Sequence, residues 1–599
     1  MDRCSRQRRR RVEQGFDSDG FDIAACGRFC FRGAIGAVAE HRKARNIDTG
    51  ARKRAYYVEG TPYEMGYLMG MMAEPEIDRM TSQYIDGMVR AMLHGARGHQ
   101  DEANEAGESL GLPLIPMHAT LVNTVYKRLR RRGVLDAVPV RYHQEIDGMV
   151  DGCRAAAAFA RRKTSVTPEE LWVLNVGVDF LFAVFQSGKL LNLLFPGVTP
   201  HHLGSPMWCN GFALLGSAKT GGVLMGRDFM FPTGEVFQDL ATMIIRNPQA
   251  PPGDALCPTV SVAAPGFVGG MTAMNAHGVA AGVDVSPGGN CDPSDPGLNS
   301  LLLVRHAVES GANGTQAVAR IVDAHRGVSW CYLVADGGDG REQAYVVEAG
   351  ASTAPMPSVS YISSLRNSDP QLRRLLPRRP FLLDHPTGDV RQGAMVRSAD
   401  GIDGLDDYIG TFNDALWRHF PGKTLHADAF AERGYINRTT GCRTPTSPED
   451  PFERNCPGNY YFAPQRGRAG EVLLLANHFL HPEMRIAAMK PWTNRVYGSW
   501  LTDDSQWRYD DLNRRILEAL DGGRIDRARA RELIDFLAPT GDTPCYYGRE
   551  NPRSRDGKAI AISGAVSVLD LGARDIETHY GYYPDKWVRI RLGGYVDLP

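Results

Sequence analysis

From Glu76 to Arg162 apolar residues recur at three- and four-residue spacing with charges between them, the pattern of amphipathic helices. After Cys209 the texture turns to β. Upstream, Tyr56-Tyr57-Val58-Glu59 reads as a strand, Gly60-Thr61-Pro62 as a turn and the residues from Tyr63 to Gly70 as a helix. Thr61 and Glu64 have the spacing of a capping box, and Pro62 suits a first helical turn, where its missing N–H costs nothing. Gly66 and Gly70 share one helix face and admit a closely packed neighbour. A second capping box, Thr167-Pro168-Glu169-Glu170, opens the apolar stretch from Leu171 to Phe195. Asn175, Asp179, Gln186 and Lys189 interrupt it, so a buried helix is expected and a membrane span is not. Asp179 then needs a donor, because an unpaired buried carboxylate is costly.

Strands are expected over 241–246, 259–263, 270–274 and 279–283, and a hairpin over 330–335 and 343–347. Helices over 298–310 and 315–325 fall between them. Residues 471–476 read as a strand, 505–520 and 525–536 as amphipathic helices, and 559–569 and 587–592 as strands. This order favours antiparallel sheet layered with helices, an α+β fold, over a wound βαβ one. Residues 1–54 show no sustained periodicity and are expected to form a poorly ordered basic leader, with arginines at 3, 6 and 8 to 11. Residues 55–208 form a helical N-terminal segment. Residues 209–599 form a second unit with a long insertion at about 350–470, rich in Pro, Arg, Asp and Gly.

Composition narrows the function classes. The 599 residues carry 68 basic and 69 acidic side chains, a balance that gives no reason to expect nucleic acid or an anionic membrane as partner. The 11 cysteines include no CxxC pair, which argues against a zinc ribbon or disulfide framework. His201-His202 has no matching ligand pair at metal spacing, so neither a metal nor a cofactor is expected. Gly216-Ser217-Ala218-Lys219-Thr220-Gly221 lacks the ending of a phosphate loop and reads as a turn. Asn313-Gly314-Thr315 and Asn437-Arg438-Thr439 are glycosylation sequons only in form. The compartment stays open, a cytoplasmic one being preferred.

The chemistry concentrates where the texture changes. Trp208-Cys209-Asn210-Gly211-Phe212 and Val223-Leu224-Met225-Gly226-Arg227-Asp228 read as two strands joined by a tight turn on Gly221-Gly222. A cysteine therefore heads one strand beside an Arg-Asp pair on the next. Alone, a strand cysteine is most simply a small buried hydrophobe.

Its company changes that. The cysteine hairpin, with Gly60-Thr61-Pro62-Tyr63-Glu64-Met65-Gly66, Gly226-Arg227-Asp228, Met274-Asn275-Ala276-His277-Gly278-Val279 and Ala476-Asn477-His478-Phe479 in this order, resembles the acyl-coenzyme A:6-aminopenicillanic acid acyltransferase family. The wider choloylglycine-hydrolase and penicillin V acylase relatives share the hairpin. The resemblance runs from about Tyr56 to Leu592, the insertion excepted. It implies a four-layer αββα N-terminal-nucleophile hydrolase sandwich, matured by self-cleavage between Trp208 and Cys209, with the two fragments staying associated. It also implies a small-molecule N-acyl substrate.

In that scheme Cys209 supplies the thiol nucleophile and, once freed, an α-amine that takes the thiol proton. Arg227 sits beside the thiol and lowers its pKa. Asn477 donates to the oxyanion. Arg508 matches a family arginine near the nucleophile, and otherwise reads as an exposed residue of an amphipathic helix. Two positions depart from the family. Met230 stands where an aspartate orients the amine, leaving Asp228, on the same strand face, as its substitute. Asp284 stands where relatives carry an oxyanion-binding asparagine; an ionised aspartate cannot donate, but it can hold the α-ammonium. If these departures abolish the chemistry, the alternative is a non-catalytic binding or scaffold protein of the same fold.

Overall fold

The computed structural model describes residues 3–23, 27–45, 50–95, 114–181, 209–232, 234–249, 255–286, 295, 297–352, 394–402, 404–407, 409–410, 464–480, 499–535, 562–580 and 587–599. In chain order the strands are β1 (Phe21–Asp22), β2 (Arg28–Phe31), β3 (Ala34–Arg45), β4 (Arg52–Gly60), β5 (Asn210–Leu214) and β6 (Leu224–Pro232). There follow β7 (Thr242–Pro248), β8 (Thr259–Ala263), β9 (Thr272–Asn275), β10 (Val279–Val285), β11 (Trp330–Asp336) and β12 (Gln343–Ala349). The last are β13 (Ala394–Ser398), β14 (Val472–Ala476), β15 (Ile562–Asp570), β16 (Asp575–Tyr580) and β17 (Val588–Arg591).

These strands make two sheets. An 11-stranded one has the order β1-β3-β4-β7-β8-β9-β10-β11-β12-β13, with β2 also on β3, and a 6-stranded one has the order β14-β5-β6-β15-β16-β17. Pairing is antiparallel except between β4 and β7, which run parallel. The sheets face each other where β5, β6 and β14 lie against β10, β11 and β12. Most residues of these strands are apolar and fully buried, which makes the space between the sheets the main core.

The helices are α1 (Arg3–Ser18), α2 (Pro62–Gly95), α3 (Leu114–Arg131), α4 (Val140–Phe159), α5 (Pro168–Trp172), α6 (Gly234–Leu240), α7 (Ser300–Ser310), α8 (Gly314–Asp323), α9 (Ser499–Asp521) and α10 (Arg527–Asp535). α7 and α8 pack on β9 to β12; α9 packs on β14 and α10 on β6 and β15. Both expected capping boxes form: Thr61 N donates to Glu64 Oε2 and Thr167 N to Glu170 Oε2, each at 2.9 Å. α2 kinks at Ala73, where Pro75 removes an N–H and crowds the preceding turn.

Gly66 and Gly70 meet the backbone of the neighbouring helix. α2 crosses α4 so closely that a Cβ on Gly66 would lie 1.9 Å from Glu145 O, and one on Gly148 would lie 2.0 Å from Tyr63 O. The interior polar groups of the helical segment also find partners. Asn175 Nδ2 donates to Gly266 O at 2.8 Å, and Val268 N donates back to its Oδ1 at 2.7 Å. Asp179 accepts from Ser300 N (2.8 Å), Ser300 Oγ (2.9 Å) and Asn299 Nδ2 (3.0 Å), at the start of α7. Beyond residue 181 the expected apolar helix lies outside the described residues.

Three expectations need correction. The described part of residues 1–54 is not a poorly ordered leader: α1 buries Val12 and Phe16, and β3 joins the large sheet beside β4. Two such apolar side chains supply roughly 1.5–3 kcal/mol each. An ion pair and a hydrogen bond with distant residues add to this, Arg591 Nε donating to Asp19 Oδ1 at 2.7 Å and Arg11 Nη2 to the backbone carbonyl of Val596 at 2.8 Å. Next, the stretch taken as an insertion contributes β13, which pairs with β12 from Tyr345↔Ser398 to Ala349↔Ala394; 353–393 and 411–463 lie outside the described residues. Finally, β5 and β6 are not joined by a two-residue turn. Their pairing ends at Leu214↔Leu224, and the connection carries a short helical turn, Gly216–Ala218, before Gly221 turns with φ +83°.

Candidate active site

The register of β5 and β6 decides where the nominated side chains point. Asn210 opposes Asp228 and Gly211 opposes Arg227, and directly opposed residues share a sheet face. Arg227 crosses to the large sheet, where its Nε and Nη2 donate to Asp284 Oδ1 of β10 at 3.1 and 2.8 Å. Its Nη1 donates to Met271 O at 2.7 Å and to Thr272 Oγ1 at 2.6 Å. Gly282 leaves the room for this, because a Cβ there would sit 2.4 Å from Arg227 Cδ. The face carrying Gly211 and Arg227 is therefore the one between the sheets. Alternation assigns Cys209 to that face, and Asp228 to the opposite face with Asn210 and Met230.

Cys209 is fully buried and held on three sides. Its backbone N donates to Asn477 Oδ1 at 2.8 Å, and its carbonyl accepts from Arg508 Nη1 at 2.8 Å. Its Sγ donates to Met230 O at 3.6 Å. Arg508 Nη2 also donates to Asn477 Oδ1 at 2.9 Å, which closes a triangle around the cysteine backbone. Asn477 follows β14, which pairs with β5 up to Ala476↔Asn210, so the end of one strand delivers it beside the head of the other. α9 brings in Arg508 from the side of the small sheet that faces away from the large one, and the residue is fully buried there, not exposed on its helix.

Asn210, which the sequence reading passed over, joins this cluster to Asp228. Its Oδ1 accepts from Arg508 Nη1 at 2.6 Å, and its Nδ2 donates to Asp228 Oδ1 and Oδ2 at 3.2 and 2.9 Å. The Asn210 backbone N also donates to Asp228. The only advance signal was its place next to Cys209 in a strand otherwise apolar.

Electrostatics at the site differ from expectation. Burial pushes the Cys209 thiol up to about 12, with Asp284 adding to the rise and Arg227 opposing it. Arg227 does pull the thiol down, but its charge is already engaged by Asp284 and burial outweighs it. Asp228 is pushed up to about 8 by burial, and Asp284 to about 6 by burial against the pull of Arg227. Neither carboxylate accepts from Cys209 N among the described residues; that acceptor is Asn477. Asp284 Oδ2 has no hydrogen-bond partner among them. Asn477 Nδ2, expected at an oxyanion, donates to Val285 O at 2.6 Å, which uses one of its two N–H groups.

The remaining motifs are structural or lie elsewhere. Lys219 Nζ donates to Gly221 O at 2.9 Å and to Glu342 Oε1 at 2.7 Å, as a turn residue. Asn313 caps α8 by accepting from Gln316 N at 2.9 Å. His201, His202, Asn437 and Trp208 lie outside the described residues. Among the described residues no group of three or more His, Cys, Asp or Glu side chains is placed to hold a metal ion, and no helix is long and apolar enough to cross a membrane.

No family model matches the chain. It is 26% identical over 549 residues to a protein of Archaeoglobus fulgidus described only as uncharacterized; the match covers 91% of this chain and 66% of that protein. The chain thus spans a little under two thirds of that relative's length. Among solved structures, two variants of conjugated bile acid hydrolase from Clostridium perfringens are 11% and 12% identical, with TM-scores of 0.25 and 0.26, covering 64% of this chain and 92% of theirs. A Caenorhabditis elegans ortholog of N-acylethanolamine-hydrolyzing acid amidase is 13% identical with a TM-score of 0.18, covering 23% of this chain and 59% of that one.

Proposed function

We propose that this chain is the uncleaved form of a cysteine N-terminal-nucleophile amidohydrolase or acyltransferase. It cuts itself between Trp208 and Cys209 and then acts on the amide bond of a small N-acyl compound. The observation that carries this reading is the closure of Asn477 and Arg508 on the Cys209 backbone, from 268 and 299 positions away in the chain. The two facing sheets, with α7 and α8 outside one and α9 and α10 outside the other, support the four-layer αββα arrangement.

In the first step Cys209 Sγ attacks the Trp208 carbonyl carbon, the peptide C–N bond breaks, and the thiol proton ends on the released amine. Water then hydrolyses the thioester, leaving a Trp208 carboxylate and a free Cys209 thiol. Asn477 Oδ1, already 2.8 Å from Cys209 N, is the acceptor that holds the new amine. A thiol with its pKa at about 12 is roughly one part in 10^5 thiolate at pH 7, so it needs a base. The freed amine, with a reference pKa of about 8, is that base. The thiolate attacks the substrate amide, the α-ammonium protonates the departing amine, and water or an amine acceptor releases the acyl group. Asn477 Nδ2 carries two N–H groups; one is on Val285 O, and the other is the donor for the oxyanion.

The second reading, a binding or scaffold protein of the same fold, is favoured by one observation: among the described residues no carboxylate holds Cys209 N. Intact mass of the purified protein separates the two. Cleavage at Cys209, abolished in Cys209→Ala, supports the enzyme; an uncut chain whose Cys209 stays inert to iodoacetamide supports the scaffold.

A further inference from the structure

Asn477 lies in a turn that the large sheet grips at three points. Asp284 of β10, Cys331 of β11 and Glu348 of β12 oppose one another across adjacent strands. Arg397 of β13 sits diagonally beside Glu348 and donates to its Oε1 from Nε at 3.1 Å, with both side chains buried. From this row Arg397 Nη2 reaches Leu474 O at 2.8 Å, Cys331 Sγ donates to His478 O at 3.9 Å, and Glu348 Oε1 accepts from Leu480 N at 3.0 Å. These three atoms lie three residues before, one after and three after Asn477. Ser286 Oγ lies 3.4 Å from Cys331 Sγ and donates to it, the single S–H being on His478 O, and burial raises the thiol, which keeps that S–H in place.

We infer that Glu348, Arg397 and Cys331 are positioning residues that set the Asn477 side chain against Cys209 N. The inference rests on the function proposed above. A guanidinium has separated donor edges, and Arg397 uses Nε on Glu348 and Nη2 on the backbone of β14, whereas a lysine in its place gathers all its donors on one nitrogen and does not reproduce that fork. Glu348 in turn ties both ends of the turn together, because it holds Leu480 directly and Leu474 through Arg397. Glu348, Arg397 and Cys331 act on the reaction through Asn477, since none of the bonds described for them reaches Cys209.

The test follows self-cleavage of the full-length chain by intact mass, beside peptide-mapped iodoacetamide labelling of Cys209. Glu348→Gln and Arg397→Lys are each expected to slow cleavage at least tenfold while circular dichroism stays native. Arg397→Lys keeps the charge, and so serves if Glu348→Gln fails to fold. In an Asn477→Ala background the same substitutions are expected to add less than twofold, because a residue acting through Asn477 has nothing left to position. Cleavage within twofold of wild type in both variants, or a full further loss on top of Asn477→Ala, overturns the inference. If wild type itself is never cut, the proposed function falls. The positioning role is then read from Cys209 labelling alone, where equal rates in wild type and both variants overturn it.

Discussion

Asn477 Oδ1 accepts from the backbone N of Cys209 at 2.8 Å and from Arg508 Nη2 at 2.9 Å. A carboxamide therefore occupies the place where the sequence pointed to a carboxylate. Two donors on one oxygen hold it in a single orientation, and Arg508 bridges back to the Cys209 carbonyl. Asn477→Ala leaves the Cys209 N–H buried and unpaired, a loss of about 1–3 kcal/mol. Self-cleavage is expected to slow by about ten- to a hundredfold, measured as the half-time for loss of the intact chain.

Gly282 is fixed by its neighbour. A Cβ there meets Arg227 Cδ at 2.4 Å and Nε at 2.5 Å, in a fully buried ion pair that cannot be moved without breaking its bonds to Asp284. Gly282→Ala is expected to lower unfolding free energy by about 1–3 kcal/mol through overpacking, read by urea titration. Unchanged stability would mean that Arg227 has another way to lie.

The pH dependence follows from Asp228. Its folded pKa, raised to about 8, lies above the unfolded reference of about 3.9. The folded state then binds the proton more tightly, so its contribution to stability is complete below about pH 4 and is lost as pH rises toward 8. Asp284, raised to about 6, acts with the same sign over a narrower window. Asp228→Asn removes the first contribution. The stability of wild type relative to this variant is expected to fall between pH 5 and pH 8, measured by urea titration at both; a constant difference would contradict the assignment.

The two halves are joined by more than a peptide bond. β4 pairs with β7 across the Trp208–Cys209 boundary, and Glu145 of α4 meets Arg246 at 3.2 Å and Arg305 at 2.7 Å, all buried. After cleavage the fragments are expected to co-elute on gel filtration and to separate only in denaturant. Glu145→Gln, which leaves two buried arginines short of a partner, is expected to cost about 3–5 kcal/mol. Separation of native wild-type fragments would contradict this arrangement.

Local rules were readable where the partner lay nearby in sequence. The capping boxes at Thr61 and Thr167 form as spaced, and Gly66 and Gly70 mark the crossing of α2 with α4. What sequence did not reveal depends on distant partners. α1 looks disordered because six of its sixteen residues are arginine, yet it docks beside Tyr595, with the Phe16 and Tyr595 ring centroids 5.0 Å apart. β16, Asp575–Tyr580, escaped notice because it is too polar for a buried strand; Arg527 and Arg589 neutralise its Asp575. At the site, the family resemblance pointed to Cys209, Arg227, Asp228, Asp284, Asn477 and Arg508, but their geometry depends on register. Sequence alternation makes Asp228 the substitute for the missing carboxylate, because it shares a strand face with Met230. It does share that face, and the face is turned away from the space between the sheets. Asn210 and Glu348 were invisible because their importance lies in which backbone and side-chain atoms they bridge.

The most direct test of the central claim is intact-mass analysis, with N-terminal sequencing, of freshly purified wild type and Cys209→Ala. Two wild-type fragments are expected, the second beginning at Cys209, and a single uncut chain for the variant. A wild-type chain that stays whole, with the same mass pattern as Cys209→Ala, would contradict it.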